Sequence, residues 1–279
     1  MLRKKQTFFL IFLLVLIVFC VILYRQAKTV EPFVDNPQYV VCLMCVCPNE
    51  VVINFAKDMS KIYKTYIVCD NVNCNTPTDT DITFIKISDQ ECNNTGWTKS
   101  NVAIDKIPSA WDKALYYFAV KETNPSYVWF IEEDVFIPRY QLISELDKKY
   151  PTADLVAKQN VSRDEDPEFG WWFDAENAFE KPLYRSLVCA CRVSRALLNK
   201  VVDLVKQNGR LVFIEVMFNT IVYRDKMDLV MPEELYTIEW RREWITEHMD
   251  DKHMYHPIKD MNIQGDYRER LTQVPARKN

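Results

Sequence analysis

Glycine is nearly missing. Four residues of 279 are glycine, Gly96, Gly170, Gly209 and Gly265, where an average chain carries about 7%. They lie too far apart to build a G-x-G-x-x-G dinucleotide turn or a G-x-x-x-x-G-K-[ST] loop, so glycine backbone does not cradle a phosphate here. Histidine is scarce as well, with only His248, His253 and His256. A two-metal phosphodiesterase or nuclease, whose ions sit about 3.5–4 Å apart, would find few ligands of that type. Nor is there an excess of positive charge. The 35 basic and 39 acidic residues leave a formal net charge of −4, which offers a nucleic-acid backbone no basic footprint. What remains is 48% hydrophobic, 13% aromatic and 27% charged, the balance of an ordered chain able to bury a sizeable core. No internal repeat or low-complexity segment interrupts it.

One segment is a different solvent problem. From Phe8 to Tyr24 every residue is apolar or aromatic, and the 18 residues 7–24 make about 27 Å of helix, close to the ~30 Å hydrocarbon core of a bilayer. A cleaved signal peptide has a shorter apolar region and a small-residue cleavage site, whereas Arg25, Gln26, Ala27 and Lys28 follow here. Arg3, Lys4 and Lys5 outweigh the two cations beyond the span, which keeps the short tail cytosolic. The sequence therefore reads as a single-pass type II membrane protein: tail 1–6, signal anchor 7–24, stem 25–37 and a lumenal domain 38–279. Two sequons, Asn93-Asn94-Thr95 and Asn160-Val161-Ser162, agree with that side of the membrane. So do the eight cysteines beyond Cys20, an even number that permits disulfides. Cys42, Cys45 and Cys47 are spaced closely enough for zinc, but Val-Cys-Leu-Met-Cys-Val-Cys reads as a buried strand with cysteine as a small apolar residue.

Along the domain, apolar runs alternate with helical spacing. Strands are expected over Tyr39–Cys47, Thr65–Cys69, Ile82–Ile87, Tyr127–Phe136 and Asp154–Ala157, and helices over Glu50–Tyr63, Ala110–Glu122 (capped by Ser109) and Arg139–Lys149. Strands joined by helical crossovers imply an α/β fold, a mostly parallel sheet with helices on both faces.

The candidate chemistry starts at Glu132-Glu133-Asp134, which five apolar or aromatic residues, Tyr127 to Ile131, deliver to the end of a strand. Ligands of open α/β sheets bind at such ends. Three adjacent carboxylates repel one another unless a cation sits among them, and oxygen ligands beside a diphosphate suit Mg²⁺ or Mn²⁺; the alternative is a solvated acidic loop. Cys69-Asp70-Asn71 follows the second strand, and Asp70 is either a ligand-site acid or a turn acid. Gly96 to Asn101, with Trp97 and Lys99, is a nucleotide-binding loop or a plain one. In Leu211–Phe218, Glu215 is one carboxylate within an apolar octet that begins like a strand. Burial raises the pKa of such a group, which tunes it as a general base; the alternative is a structural Glu bonded to backbone or to an arginine such as Arg192. Phe169-Gly170-Trp171-Trp172-Phe173-Asp174 presents aromatic rings and an acid, either to a sugar or as a cover for the sheet.

A short tail, one membrane span, a stem and an α/β half ending in Phe-Ile-Glu132-Glu133-Asp134 resemble the Golgi-type glycosyltransferases of the GT-A fold, whose Asp-x-Asp motif holds Mn²⁺ on a nucleotide-sugar diphosphate. The resemblance covers about Val40 to Pro138, and the motif here reads Glu-Glu-Asp. It implies a Rossmann-type sheet with a nucleotide-sugar half over 38–138 and an acceptor half over 139–279. It further implies Mn²⁺ or Mg²⁺, a glycan or glycoprotein acceptor, and a Golgi or ER membrane. Asp134 becomes the chief metal ligand with Glu132, Glu132 and Glu133 lie toward the sugar and ribose, and Asp70, Lys99 and Lys113 become donor contacts. Such enzymes close the metal site with a late histidine and neutralise the departing diphosphate with a nearby cation, which points to His256 and Lys259. Glu215, with Asp174 second, becomes the base that deprotonates an acceptor hydroxyl in an inverting transfer. The charged tail from Gly265 to Asn279 reads as a late lid that orders on binding. A membrane-anchored binding protein without catalysis and a metal-dependent phosphodiesterase are the competing readings.

Overall fold

The computed structural model describes residues 39–78, 80–103 and 107–273. The anchor and stem expected over residues 7–37 lie outside them; among the described residues no helix is long and apolar enough to cross a membrane.

Uninterrupted apolar runs mark strands covered on both faces, and these form the centre of the molecule. β1 (Tyr39–Cys45) is buried along its whole length and runs parallel to β2 (Lys64–Cys69) on one side and β4 (Tyr127–Glu132) on the other. Successive side chains go to opposite layers. Val40, Cys42 and Met44 join Val128 and Phe130 in one; Val41, Leu43 and Cys45 join Trp129 and Ile131 in the other. β3 (Thr83–Ile85) pairs with β2. Beyond β4 come β8 (Ala190–Ser194), β5 (Leu155–Val156) and β9 (Leu229–Val230), so that the seven strands run β3-β2-β1-β4-β8-β5-β9. Only β8 opposes its neighbours, and the sheet is mostly parallel, as expected. β6 (Val161–Ser162) and β7 (Tyr184–Arg185) make a separate antiparallel pair.

The helices are α1 (Glu50–Met59), α2 (Asp89–Thr95), α3 (Ala110–Tyr116, extended by the π-helical turn Tyr117–Lys121), α4 (Gln141–Lys149), α5 (Trp172–Glu176), α6 (Arg195–Asn208), α7 (Ile214–Arg224) and α8 (Met261–Gln273). α1 and α4 pack on one sheet face; α3, α6 and α7 pack on the other. The start of α7 corrects the strand-like reading of the 211–218 run. Ile214, Met217, Phe218 and Ile221 recur at helical spacing and are all buried, so only the lead-in to Phe213 is extended. α8 corrects the lid reading through residue 273: Gln264 Nε2 donates to the Glu133 and Ile258 carbonyls, and the Arg268 guanidinium lies 4.0 Å from the Phe55 ring centre.

Two of the four glycines are used as helix ends. Gly96 and Gly209 cap α2 and α6 with φ of 78° and 73°, a conformation that costs little only without a Cβ. They also abut, since a Cβ on Gly96 would lie 2.6 Å from the Gly209 carbonyl oxygen. Cys47 and Cys74 form a disulfide. Cys42 and Cys45 in β1 are free and buried, which is the small-apolar role expected of them.

Candidate active site

The chain winds β1, β2 and β3 to one side and then crosses to β4 on the other, so the carboxyl ends of β1 and β4 flank the point where strand order reverses. A crevice opens there in folds of this kind. Here it is a cavity of about 420 Å³ lined by Met44, Cys45, Val46, Asp70, Trp111, Glu132, Glu133 and Asp134 among others. A second cavity of about 890 Å³ adjoins it, walled by Lys158, Phe169, Trp171, Arg185, Cys189 and Glu215. Asn101, Glu132, Asp134 and Lys259 line both.

The three acids are held by backbone bonds to three other parts of the chain. Glu132 N donates to the Cys189 carbonyl (2.8 Å), Glu133 N to the Met44 carbonyl (2.9 Å), and Ile258 N to the Asp134 carbonyl (2.8 Å). The last of these belongs to a late segment stitched to the acid loop by reciprocal Phe136–Tyr255 backbone bonds. That stitching carries His256 to the acids, its Nε2 lying 3.4 Å from Asp134 Oδ1 and 3.9 Å from Glu132 Oε2. On the other side of the ring, Nδ1 is 2.8 Å from the Glu239 carbonyl. A carbonyl only accepts, so Nδ1 carries a proton and Nε2 is left to face the acids. Lys259 Nζ stands 3.4 Å from Asp134 Oδ2. Trp111 is buried in the core, and its Nε1 donates to Glu132 Oε1 at 2.6 Å.

Electrostatics separate the neighbouring acids. Burial raises the Glu132 pKa, and the Asp134 charge raises it further. Burial pulls Asp134 the same way, but hydrogen bonding and charge from His256 and Lys259 bring it below the usual range. Burial would lower His256, yet Asp134 and Glu132 outweigh it and leave the imidazole above its ordinary value. Carboxylate oxygens with one imidazole nitrogen suit Mn²⁺ or Mg²⁺. The donor chemistry of Asp134, Glu132 and His256 therefore suits a divalent cation, while the three ligand atoms that all lie within 4.8 Å of one another among the described residues belong to Glu132, Cys189 and His256.

Glu215 sits at the first turn of α7 on the wall of the larger cavity. Among the described residues its carboxylate has no hydrogen bond or ion pair, and burial raises its pKa to about 7, opposed by Arg185 and assisted by Glu132. Arg192 is not its partner: that guanidinium binds the buried Asp147 (2.7 Å) beneath the sheet. Facing Glu215, Phe169 and Phe213 stack at 6.2 Å between centroids and Trp171 leans on Phe213 at 5.8 Å. These rings form an apolar platform.

Other expected residues are engaged elsewhere. Asp174 lines neither cavity; it accepts from Phe213 N (2.7 Å) and from Arg210 (2.8 Å) and so tethers the loop before α7. Lys113 is fully buried, with Nζ 2.9 Å from Asp70 Oδ1 and 2.6 Å from Asp89 Oδ1. It positions Asp70, which does line the smaller cavity, rather than reaching toward a ligand. Lys99 is exposed and away from both cavities, while Trp97 is in the core; of that loop, Asn101 alone reaches the cavities. Trp172 is buried and Phe173 points outward. Cys189 and Lys158 are cavity residues with no sequence signal, because neither belongs to a motif and both are brought in by the pairing of β8 and β5.

No family model matches the sequence, and no curated protein matches it. Among solved structures the chain is similar to an active-site mutant of LgtC, with 9% identity, 85% of this chain and 98% of that one covered, and a TM-score of 0.47. The galactosyltransferase LgtC in complex with donor and acceptor sugar analogues gives 11% identity, the same coverage and a TM-score of 0.44. Apo mouse xyloside xylosyltransferase 1 gives 9%, coverage of 70% and 85%, and 0.33.

Proposed function

We propose that this protein is a metal-dependent glycosyltransferase that moves a sugar from a nucleotide-sugar to an acceptor hydroxyl of a glycan or glycoprotein with inversion. The observation that carries the reading is the pair of adjoining cavities whose common wall is Glu132, Asp134, Asn101 and Lys259. A transfer between two bound molecules needs two pockets meeting at the reacting centre, and it needs charge stabilisation at that meeting point. The smaller cavity, at the switch point with Asp70 at its edge, takes the nucleotide. The larger, with its platform of rings and carboxylates, takes the acceptor.

A divalent cation held by Asp134, Glu132 and His256 would neutralise the departing diphosphate. Lys259 adds an exposed positive charge at the same place. Glu215 accepts the proton of the acceptor hydroxyl: its pKa of about 7 lets it be ionised at neutral pH while remaining a far stronger base than an ordinary carboxylate. The aromatic platform orients the acceptor ring and keeps water from the anomeric carbon. Anchoring by residues 7–24 with the domain in the ER or Golgi lumen belongs to the same proposal, and the Cys47–Cys74 disulfide supports an oxidising compartment.

The test is a panel of nucleotide-sugars with and without Mn²⁺, followed by NMR of the product anomer. Asp134→Ala should reduce turnover by about 10²–10³-fold, as loss of a principal charge-stabilising group does. Undiminished metal-dependent turnover in that variant would remove the central assignment, and donor binding without turnover in the unaltered protein would mark a binding protein instead.

A further inference from the structure

We propose that Cys189, together with Glu132 and His256, forms a site for a thiophilic divalent cation of the Zn²⁺ class. The thiol stands outside the acid-and-histidine set considered above, and nothing in the transfer chemistry uses it. One ligand atom from each of the three residues lies within 4.8 Å of the other two. Around a tetrahedral Zn²⁺ with bonds of about 2.0–2.3 Å, ligand atoms are about 3.3–3.8 Å apart. The 3.9 Å between Glu132 Oε2 and His256 Nε2 is already close to that spacing, and side-chain movement of about an ångström would complete it.

The residues around the three ligands are arranged as a metal site requires. The Glu239 carbonyl fixes the ring of His256 with Nε2 inward, the role an outer hydrogen-bond acceptor plays at metal centres. Trp111 Nε1 and the Cys189 carbonyl orient Glu132 through its side chain and its backbone N–H. The Cys189 thiol and the Glu132 carboxylate lie within 4.8 Å of each other. A cation replaces the thiol proton: the S–H bond breaks, an S–metal bond forms, and the proton leaves to solvent. The route in is the larger cavity, which all three residues line, and which leaves the fourth position for water.

Thiolate and imidazole select Zn²⁺, Cd²⁺ or Co²⁺ over Mg²⁺. His256 Nε2 has one lone pair, and Asp134 Oδ1 is within 3.4 Å of it. An ion bound through Cys189 and an ion bound through Asp134 therefore compete for the same nitrogen, which makes thiophilic cations antagonists of an oxygen-ligated one.

The experiment is a Co²⁺ titration of the full chain without donor or acceptor, so its outcome is independent of whether sugar transfer occurs. A near-ultraviolet sulfur-to-cobalt charge-transfer band with intense four-coordinate visible bands is expected. Cys189→Ser and His256→Ala should weaken binding by about tenfold or more, and Cys92→Ser, a buried thiol elsewhere, should not change it. In the unaltered protein, Zn²⁺ but not Mg²⁺ should slow alkylation of Cys189 by N-ethylmaleimide about tenfold or more, a measurement that needs no variant. A pale six-coordinate spectrum up to millimolar Co²⁺, a charge-transfer band that survives in Cys189→Ser, or alkylation indifferent to Zn²⁺ would each overturn the site.

Discussion

Replacing Glu215 by Gln should stabilise the fold at alkaline pH while removing catalysis, and the size of the effect follows from the surroundings of the carboxyl group. Its pKa moves from 4.5 to about 7 because burial withdraws it from water and no hydrogen bond compensates among the described residues. At about 1.4 kcal/mol per unit, the ionised form costs the folded state about 3 kcal/mol relative to the unfolded chain. The sign follows from proton binding. Between pH 4.5 and 7 the unfolded chain has released this proton and the folded chain has not, so stability falls as pH rises through that window and the whole cost is present above it. Glutamine has nearly the same shape and no charge at any pH. Urea unfolding of both proteins at pH 4.5 and pH 8 cancels any packing difference: the variant should gain about 3 kcal/mol on the unaltered protein between the two pH values. Transfer activity should move the opposite way. In the unaltered protein it should fall about tenfold per unit below pH 7, and in the variant it should be lost throughout. A stability difference that does not change with pH, or a variant that keeps the acidic limb of the rate profile, would refute both the burial argument and the assignment of the base.

Gly96→Ala should lose about 1–3 kcal/mol, because alanine is strained at φ of 78° and its Cβ would meet the Gly209 carbonyl oxygen at 2.6 Å; Gly170→Ala, with open space around it, should melt like the parent. Lys113→Met should cost about 3–5 kcal/mol in chemical denaturation by removing a buried ammonium that binds both Asp70 and Asp89, whereas a solvent-facing phosphate contact would lower donor affinity and leave stability alone. A nucleotide titration of the same variant separates the two roles.

Local chemistry explains what could be read directly. The buried strands announce themselves as unbroken apolar runs, and Ser109 marks a helix start because a cap is decided by a residue and its nearest neighbours. The strand-to-acid junction at Glu132–Asp134 is legible for the same reason, since one segment carries both the burial and the charge. Glu215 stands out because a carboxylate among seven apolar side chains over positions 211–218 is costly wherever the segment goes. Misreadings arose where a side chain had a choice of distant partners. Lys113 could face a phosphate or Asp70, Asp174 could face a sugar or the Phe213 amide, and sequence spacing contains nothing about either.

By itself the sequence determined the α/β alternation, the two-faced burial of the central strands and the presence of a carboxylate cluster at a strand end, all consequences of hydrophobic patterning within one segment. Its shortage of glycine also excluded a backbone phosphate cradle. Only the tertiary structure decided which side chains converge there. His256 reaches Asp134 across 122 positions through a backbone stitch between Phe136 and Tyr255. Cys189 reaches Glu132 because β8 pairs antiparallel with β4. Such contacts depend on long-range strand pairing, which no local pattern encodes, and they are what turn an acidic loop into a candidate catalytic centre.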